Sequence, residues 1–89
     1  MGDSSLISFI ARSKRRLEIL SLLKENELSQ VKLTKLTKMY KGHTSRTLKE
    51  LSEKKLILCT NSDDRSFRSY KITPLGRRVL EEAQKLIKI

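Results

Sequence analysis

The chain has 89 residues, enough for one small domain, and a net charge of +10 from 20 Lys and Arg against 10 Asp and Glu. Its single cysteine, Cys59, excludes an intrachain disulfide and a cysteine cluster that would hold a metal. The charge surplus favours a polyanionic partner: nucleic acid first, an acidic membrane surface second and an acidic protein third. No apolar run approaches the ~20 residues that span a bilayer, and no signal-peptide pattern is present, so we expect a cytoplasmic or nucleoid-associated protein.

The first part of the chain predicts three helical segments. Residues 6–10 are an apolar cluster long enough for one or two helical turns. Ser13 is a good N-cap for a helix over residues 14–24, and Ser29 is a good N-cap for a helix over residues 30–37. The residues expected on the buried face of the third segment are Val31, Leu33 and Leu36.

A turn over residues 39–42 leads into the next helix, which we expect to run from about residue 43 to 54. Gly42 is free to take the positive φ that a tight turn often needs. Because Thr44, Leu48 and Leu51 recur at helical spacing, they fall on one face, and that face would be buried. The residues that then point largely towards solvent are His43, Ser45, Arg46 and Lys49.

After this helix the hydrophobic period changes to that of strands. Residues 56–60 and 66–73 are predicted to pair as a hairpin around a polar turn, and Leu28 is expected to make a brief extended contact. Pro74 suits the first turn of a last helix, with Thr73 as its N-cap. The apolar residues of this helix fall on two adjoining faces, Leu75, Val79, Ala83 and Leu86 on one and Leu80 and Ile87 on the other.

The order helix, helix, turn, helix, hairpin, helix is that of a winged helix-turn-helix. This is an α+β fold with a three-helix core, a β-hairpin wing and a C-terminal helix, and we expect residues 1–89 to form one such DNA-binding domain. The segment "SRTLKELSEKKLI" resembles the recognition helix and following strand of MarR- and ArsR-type regulators and their archaeal relatives. "DDRSFRSYKITPLGRRVL" resembles the MarR-type wing, and "ARSKRRLEILSLL" is similar to the first helix of the ArsR type.

The resemblance implies a sequence-specific regulator of transcription that binds double-stranded DNA as a homodimer. Members usually carry glycine just after the recognition helix, where this chain has Lys55. A lysine can take the left-handed conformation there at a cost of about 1 kcal/mol, so the end of the helix is expected to differ locally.

A run of basic residues, uninterrupted by acidic ones, covers the predicted helix-turn-helix. Between Leu28 and Lys49 there is no acidic residue, and the six basic residues are Lys32, Lys35, Lys38, Lys41, Arg46 and Lys49. A merely solvated helix face usually interleaves Glu with Lys for pairing, so this run favours contact with phosphates.

Within the run, Arg46 is the best candidate for a bidentate contact to guanine. The candidates for contact with base edges or adjacent phosphates are His43, Ser45 and Lys49. The residues expected to clamp phosphates and fix register are Lys32, Lys35, Lys38 and Lys41. Thr44 completes the expected contact set of this helix.

For the wing, residues 61–69, the resemblance implies that Arg65 and Arg68 reach the minor groove or its backbone. Asp63 is a candidate to hold the tip by pairing with Arg65. A cross-strand ion pair is the alternative role for Arg68.

Two other classes of function are alternatives for a basic winged helix. An architectural protein that coats DNA with little sequence preference is the first alternative, and a protein-interaction winged helix is the second. There is no Gly-rich phosphate loop, no carboxylate pair in an apolar setting and no nucleophile with a plausible base, so we expect neither an enzyme nor a cofactor. His43 has no second soft ligand nearby, so no metal is expected. Cys59 is either a strand residue facing the core or a redox-sensing thiol.

The two ends of the chain are the surfaces expected to form a homodimer. The residues predicted to make an isologous two-fold interface are Leu6, Phe9, Ile10, Leu80 and Ile87. The alternative is that the N-terminal segment folds back over the last helix of its own chain and the protein is a monomer.

Overall fold

The computed structural model describes residues 2–61 and 67–87 of the chain. Over these ranges it forms five helices and three strands, in agreement with the predicted α+β class. Their order is α1 (Gly2–Ala11), α2 (Lys14–Glu25), β1 (Leu28–Ser29), α3 (Gln30–Thr37), α4 (Lys41–Glu53), β2 (Ile57–Cys59), β3 (Ser69–Ile72) and α5 (Pro74–Ile87). Within the described residues, no helix is both long enough and apolar enough to cross a bilayer.

Three helices begin at the hydroxyl residues that the sequence predicts. The side-chain oxygens of Ser13, Ser29 and Thr73 each accept a hydrogen bond from the backbone N–H three residues later, at 3.3, 3.1 and 3.0 Å. Each bond satisfies one of the N–H groups that the first turn of a helix leaves without a partner, and each is worth about 1 kcal/mol. The predicted starts of α2, α3 and α5 are therefore confirmed.

The turn between α3 and α4 differs from the prediction. Its left-handed residue is Lys38, with φ of 58°, whereas Gly42 has no positive φ and lies inside α4. The helix begins at Lys41, two residues earlier than expected, because Tyr40 already takes the extended conformation of an N-cap. The turn is therefore shorter than the sequence suggests, and glycine is not what permits it.

Lys55 takes the left-handed conformation at the end of α4, with φ of 64°, so the helix ends as it would at a glycine and the expected local difference is not seen. The N–H of Lys55 donates to the Ser52 carbonyl and the N–H of Leu56 donates to the Leu51 carbonyl, both at 3.0 Å. This pair of bonds is a Schellman motif, in which a left-handed residue closes the helix and brings two apolar side chains together. Leu51 and Leu56 are both fully buried.

The sheet is antiparallel with β3 in the centre, in the order β1-β3-β2. Leu28 of β1 pairs with Tyr70, and Cys59 of β2 pairs with the same residue from the other side. The hairpin and the brief extended contact of Leu28 are thus confirmed, although β2 and β3 are shorter than predicted. Ile57 and Ile72 pair across the hairpin and are both buried.

Helix α1 is longer than the one or two turns predicted, and it packs mainly on α5 of the same chain. This packing lets one small core cover Val79 and Ala83 on one face of α5 and Leu80 on the adjoining face, whereas Leu86 and Ile87 are exposed. The buried apolar side chains of the core are Ile10, Ile19, Leu20, Leu23, Leu33, Met39, Leu48, Leu51, Leu56, Ile57, Tyr70, Ile72, Val79, Leu80 and Ala83.

The buried face predicted for α3 is wrong at two of its three positions. Leu33 is fully buried, but Val31 is 46% exposed and Leu36 is 44% exposed. Helix α3 has only eight residues and contacts the core along the Leu33 and Thr37 side, so residues on its flanks remain open. The Thr37 hydroxyl donates to the Leu33 carbonyl at 2.7 Å, which satisfies a polar group in that buried position.

Candidate nucleic-acid interface

One face of helix α4 is held in the core by four residues at the spacing i, i+3, i+4 and i+7, namely Thr44, Thr47, Leu48 and Leu51. The two threonines bury their hydroxyls without leaving them unsatisfied. Thr44 donates to the Tyr40 carbonyl at 3.1 Å, and Thr47 donates to the His43 carbonyl at 2.9 Å. The predicted burial of Thr44, Leu48 and Leu51 is confirmed, and α4 is fixed in rotation about its axis.

Burial also removes Thr44 from the residues that can contact DNA. Its relative exposure is 0%, so its inclusion in the predicted contact set is wrong. The reason is its place on α4, four residues before Leu48 on the core side.

The opposite face of α4 carries Gly42, Ser45, Arg46 and Lys49, which have the same helical spacing and are all exposed. Lys41 and His43, in the first turn, are exposed as well. The side chains predicted to face solvent from this helix therefore do so, at the end of the helix where base-reading side chains of such helices are commonly found.

Helix α3 and the following turn add three exposed lysines, Lys32, Lys35 and Lys38. The left-handed backbone of Lys38 places a cation in the turn that joins the two helices. The ion pairs among the described residues include those of Arg15 with Glu18, Arg16 with Glu50 and Lys85 with Glu82. No member of the basic run takes part in them, so the charges of the run are not neutralised by carboxylates in the described parts of the chain.

The position of α3 is fixed by contacts with α2 and with the residue preceding β3 that involve none of the six basic residues of the run. Arg15 of α2 donates from Nη1 to the carbonyl of Thr37 at 3.2 Å, which satisfies an acceptor at the end of α3. At the other end, the N–H of Gln30 donates to the carbonyl of Arg68 at 2.8 Å. Helix α3 is therefore tied to both α2 and the β3 side of the wing.

Sequence reasoning missed Tyr40 as a candidate contact residue. It is 88% exposed, and it lies between Lys38 and Lys41 immediately before α4. An aromatic side chain so exposed within a basic surface offers a stacking or apolar contact to a nucleic acid. The signal was present in the sequence as an aromatic residue flanked by two lysine positions.

The structure describes the base of the wing, residues 61 and 67–69. Asn61 Nδ2 donates to the carbonyl of Phe67, and Asn61 Oδ1 accepts from the N–H of Ser69 at 2.6 Å. These bonds close the loop with a side chain that the sequence indicated only as a turn residue. Phe67 is 65% exposed, and Arg68 is also exposed. The predicted residues Arg65 and Asp63 lie outside the described residues.

No ion pair to Arg68 is formed in the described parts of the chain, so the cross-strand pair considered for it is not seen there. Cys59 lies half-buried against the core, and its Sγ is 3.8 Å from Asn61 Oδ1. The described residues contain no group of three or more His, Cys, Asp or Glu that could hold a metal ion.

The predicted dimer surface is wrong at two of its five residues. Ile10 and Leu80 are both 0% exposed, because α1 packs on α5 within the chain and closes over them. Leu6 and Phe9 are half-buried against the same core, whereas Ile87 is 49% exposed. The N-terminal segment therefore folds back over the last helix of its own chain, which is the part of the alternative that concerns this segment.

Residues 4–89 match the family described as HVO_A0261 N-terminal domain. The chain belongs to that family. No curated protein sequence matches the chain at a significant level.

Solved structures share the fold of this HVO_A0261 N-terminal domain. A possible transcriptional regulatory protein (fragment 1–100) from Mycobacterium bovis is 20% identical with a TM-score of 0.79, covering 98% of this chain and 92% of that one. The transcriptional regulator BldR from Sulfolobus solfataricus is 28% identical with a TM-score of 0.77, covering 85% of this chain and 55% of BldR. A mutant MarR from E. coli, complexed with operator DNA, is 18% identical with a TM-score of 0.74, covering 97% of this chain and 66% of MarR.

These likenesses confirm the predicted winged helix-turn-helix and the resemblance to MarR-type regulators. The chain spans little more than half of the length of BldR and about two thirds of that of MarR.

Proposed function

We propose that this HVO_A0261 N-terminal domain is a sequence-specific transcriptional regulator that binds double-stranded DNA with α4 in the major groove. The observation that carries the proposal is the exposed stripe of α4, whose Ser45, Arg46 and Lys49 stand opposite a fully buried face. Only the major groove both admits a helix and presents base edges in a distinguishable pattern. The DNA-bound winged-helix structures of MarR and MepR support the same interpretation of the fold.

Within this proposal, Arg46 makes a bidentate contact to guanine, and His43, Ser45 and Lys49 contact base edges or adjacent phosphates. The lysines around the helix-turn-helix, Lys32, Lys35, Lys38 and Lys41, bind phosphates and fix the register. A further phosphate is favoured at the start of α4, because Tyr40 makes no side-chain capping bond to the N–H groups of its first turn. Those groups and the helix dipole both favour an anion there.

The wing is proposed to reach the minor groove or its backbone through Arg65 and Arg68. This role is supported by the bonds of Asn61 at the base of the loop, which hold both of its ends together. It is also supported by the bond between the Arg68 carbonyl and the N–H of Gln30, which ties the wing to the first residue of α3.

We propose a homodimer as the form that binds DNA, since one recognition helix reads too few base pairs to select a site in a genome. Two copies related by a two-fold axis would place two α4 helices in successive major grooves about 34 Å apart. The surface that supports such pairing is the end of α5, where Leu86 is 59% exposed and Ile87 is 49% exposed.

The test of DNA binding is the salt dependence of affinity for a duplex. Each phosphate neutralised by a lysine or arginine contributes a slope of about −0.9 to log K against log salt. Several contacts per monomer therefore predict a steep fall of affinity between low and moderate salt. A flat profile would overturn the nucleic-acid interface and favour the protein-interaction alternative.

Selection of bound duplexes from a random pool, followed by sequencing, separates a regulator from an architectural protein. A regulator should bind its selected site ~10³-fold or more tightly than random duplex. A ratio near unity would instead identify a protein that coats DNA. The ratio must be measured at one fixed salt concentration, because salt changes the affinity for nonspecific DNA.

A further inference from the structure

Arg16 of α2 connects three helices through one guanidinium. Its Nη1 donates to the carbonyl of Phe9 in α1 at 3.0 Å, and its Cζ lies 3.8 Å from the centroid of the Phe9 ring. Its Nε and Nη2 are both 3.3 Å from Oε1 of Glu50 in α4. The guanidinium is therefore held by the Phe9 carbonyl and the Phe9 ring in addition to its contacts with the carboxylate of Glu50.

This ion pair differs from the others in the described residues. The pairs of Arg15 with Glu18 and of Lys85 with Glu82 lie within single helices, and their side chains are more exposed. The side chain of Arg16 is only 23% exposed, and that of Glu50 is 38% exposed. A partly buried pair in which two nitrogens of a preordered arginine share one carboxylate oxygen holds that carboxylate more firmly than a mobile surface pair does.

Glu50 stands four residues after Arg46 on the same helix. Residues at that spacing are neighbours on a helix surface, with Cβ atoms about 5–6 Å apart, and an arginine and a glutamate so placed can pair. The observed partner of Glu50 is nevertheless Arg16 on the other helix. Arg46 is exposed and forms no ion pair among the described residues.

We propose that Arg16 is a positioning residue for the DNA contact, which holds Glu50 away from Arg46 so that the Arg46 guanidinium remains available to the duplex. The proposal rests on the DNA-binding function proposed above. Without Arg16, the carboxylate of Glu50 competes with DNA for Arg46 and adds an unneutralised negative charge beside the phosphates.

The direct test compares duplex affinity of Arg16→Gln with that of Arg12→Gln at the same salt. Arg12 is exposed and has no side-chain partner among the described residues, so both changes remove one positive charge from the same region. Arg16→Gln should bind roughly 1.5- to twofold more weakly than Arg12→Gln, since a helical i, i+4 ion pair has an effect of this small order. Equal affinities would overturn the proposal.

Two double variants separate this role from a general effect on the fold. Adding Glu50→Gln to Arg16→Gln should restore the affinity of Glu50→Gln alone, apart from the loss that Arg12→Gln also causes, because the competing carboxylate is gone. In an Arg46→Ala background, Arg16→Gln should cause no further loss beyond that of Arg12→Gln. A loss that persists in the Arg46→Ala background would show that Arg16 acts through folding or its own DNA contact, which would overturn the proposal.

Glu50→Gln alone provides a test that does not depend on the folding of an Arg16 variant. If Arg16 serves to hold Glu50 off, Glu50→Gln should bind DNA as tightly as the unmodified chain or up to severalfold more tightly, and so should Glu53→Gln one turn on. Weaker binding by Glu50→Gln alone would mean that the Arg16–Glu50 pair supports DNA binding by holding α4 in place. The proposal would then be wrong. Failure of the unmodified chain to bind any duplex would instead reject the DNA-binding function itself.

Discussion

The α-carbon of Gly76, in the first turn of α5, lies against the backbone carbonyl of Leu56, such that a β-carbon built on Gly76 would overlap the Leu56 oxygen. The same carbonyl accepts hydrogen bonds from the N–H and the hydroxyl of Thr73, both at 3.0 Å. The start of α5 is thus held against the segment that joins α4 to β2 by backbone contact, with no space for a side chain. Glycine is required here by close approach, since its φ is not positive.

Gly76→Ala should lower the free energy of unfolding by about 2–3 kcal/mol, because the backbone must shift to admit the methyl group. Gly42→Ala is the matched control, since nothing lies within 4 Å of a β-carbon at Gly42. In a helix that change should raise the free energy of unfolding by about 0.5 kcal/mol. Urea denaturation of the two variants checks both signs, and a neutral Gly76→Ala would refute the close contact.

Lys55→Gly should stabilise the protein by about 1 kcal/mol, because glycine takes the left-handed conformation without steric cost. Lys54→Gly should give no such gain, since Lys54 has φ of −86°. Thermal denaturation of the two variants measures the difference. If Lys55→Gly were no more stable than Lys54→Gly, the strain assigned to Lys55 would be absent.

Arg46→Ala and Lys38→Ala should weaken DNA binding in different ways. Arg46→Ala should cost about 1–3 kcal/mol on the preferred site and relax specificity at the base pair it contacts. Lys38→Ala should weaken all sequences about equally and reduce the salt slope by about 1. Titrations against preferred and random duplexes over a range of salt distinguish the two. A uniform loss in both variants would make Arg46 a phosphate contact.

Lys38→Gly should separate stability from binding at one position. It relieves the left-handed strain at φ of 58° and should stabilise the fold by up to about 1 kcal/mol. It should nevertheless weaken duplex binding as Lys38→Ala does, because both remove the cation. Urea denaturation and duplex titration of the same preparation check that the free energy of unfolding rises while the affinity falls. An unchanged affinity would remove Lys38 from the interface.

The exposed end of α5 is where substitutions should affect assembly. Leu86→Glu and Ile87→Glu should convert a dimer into a species with the single-chain mass of 10.3 kDa, since both side chains are about half exposed and a glutamate there need not disturb the core. Light scattering at micromolar concentration measures the change, and Leu80→Glu is expected to unfold the chain instead. An unmodified chain of 10.3 kDa, or a dimer that survives both changes, would place the interface elsewhere or exclude it.

Much of the candidate site followed from the sequence because its signals are local. A capping hydroxyl acts on an N–H three residues away, so Ser13, Ser29 and Thr73 could be assigned from their immediate neighbours. The spacing of Thr44, Leu48 and Leu51 likewise set the rotation of α4, and with it the exposure of Arg46. The charge surplus and the basic run required no structure at all.

The local sequence signals were weakest where more than one residue could adopt the same backbone conformation. Gly42 was the obvious residue for a left-handed turn, but Lys38 takes that conformation, and Gly42 is helical. Tyr40 was overlooked because its exposure depends on the extended backbone that it adopts before α4.

Which apolar faces are covered was decided by the tertiary structure alone. Ile10 and Leu80 are buried because α1 lies on α5, whereas Val31 and Leu36 are exposed because no element among the described residues covers the flanks of α3. The sequence determined that these residues are apolar and share helical faces, but burial is a property of neighbours that come from distant parts of the chain. The pairing of Glu50 with Arg16, which lies 34 residues away, was decided in the same way by the packing of α2 against α4.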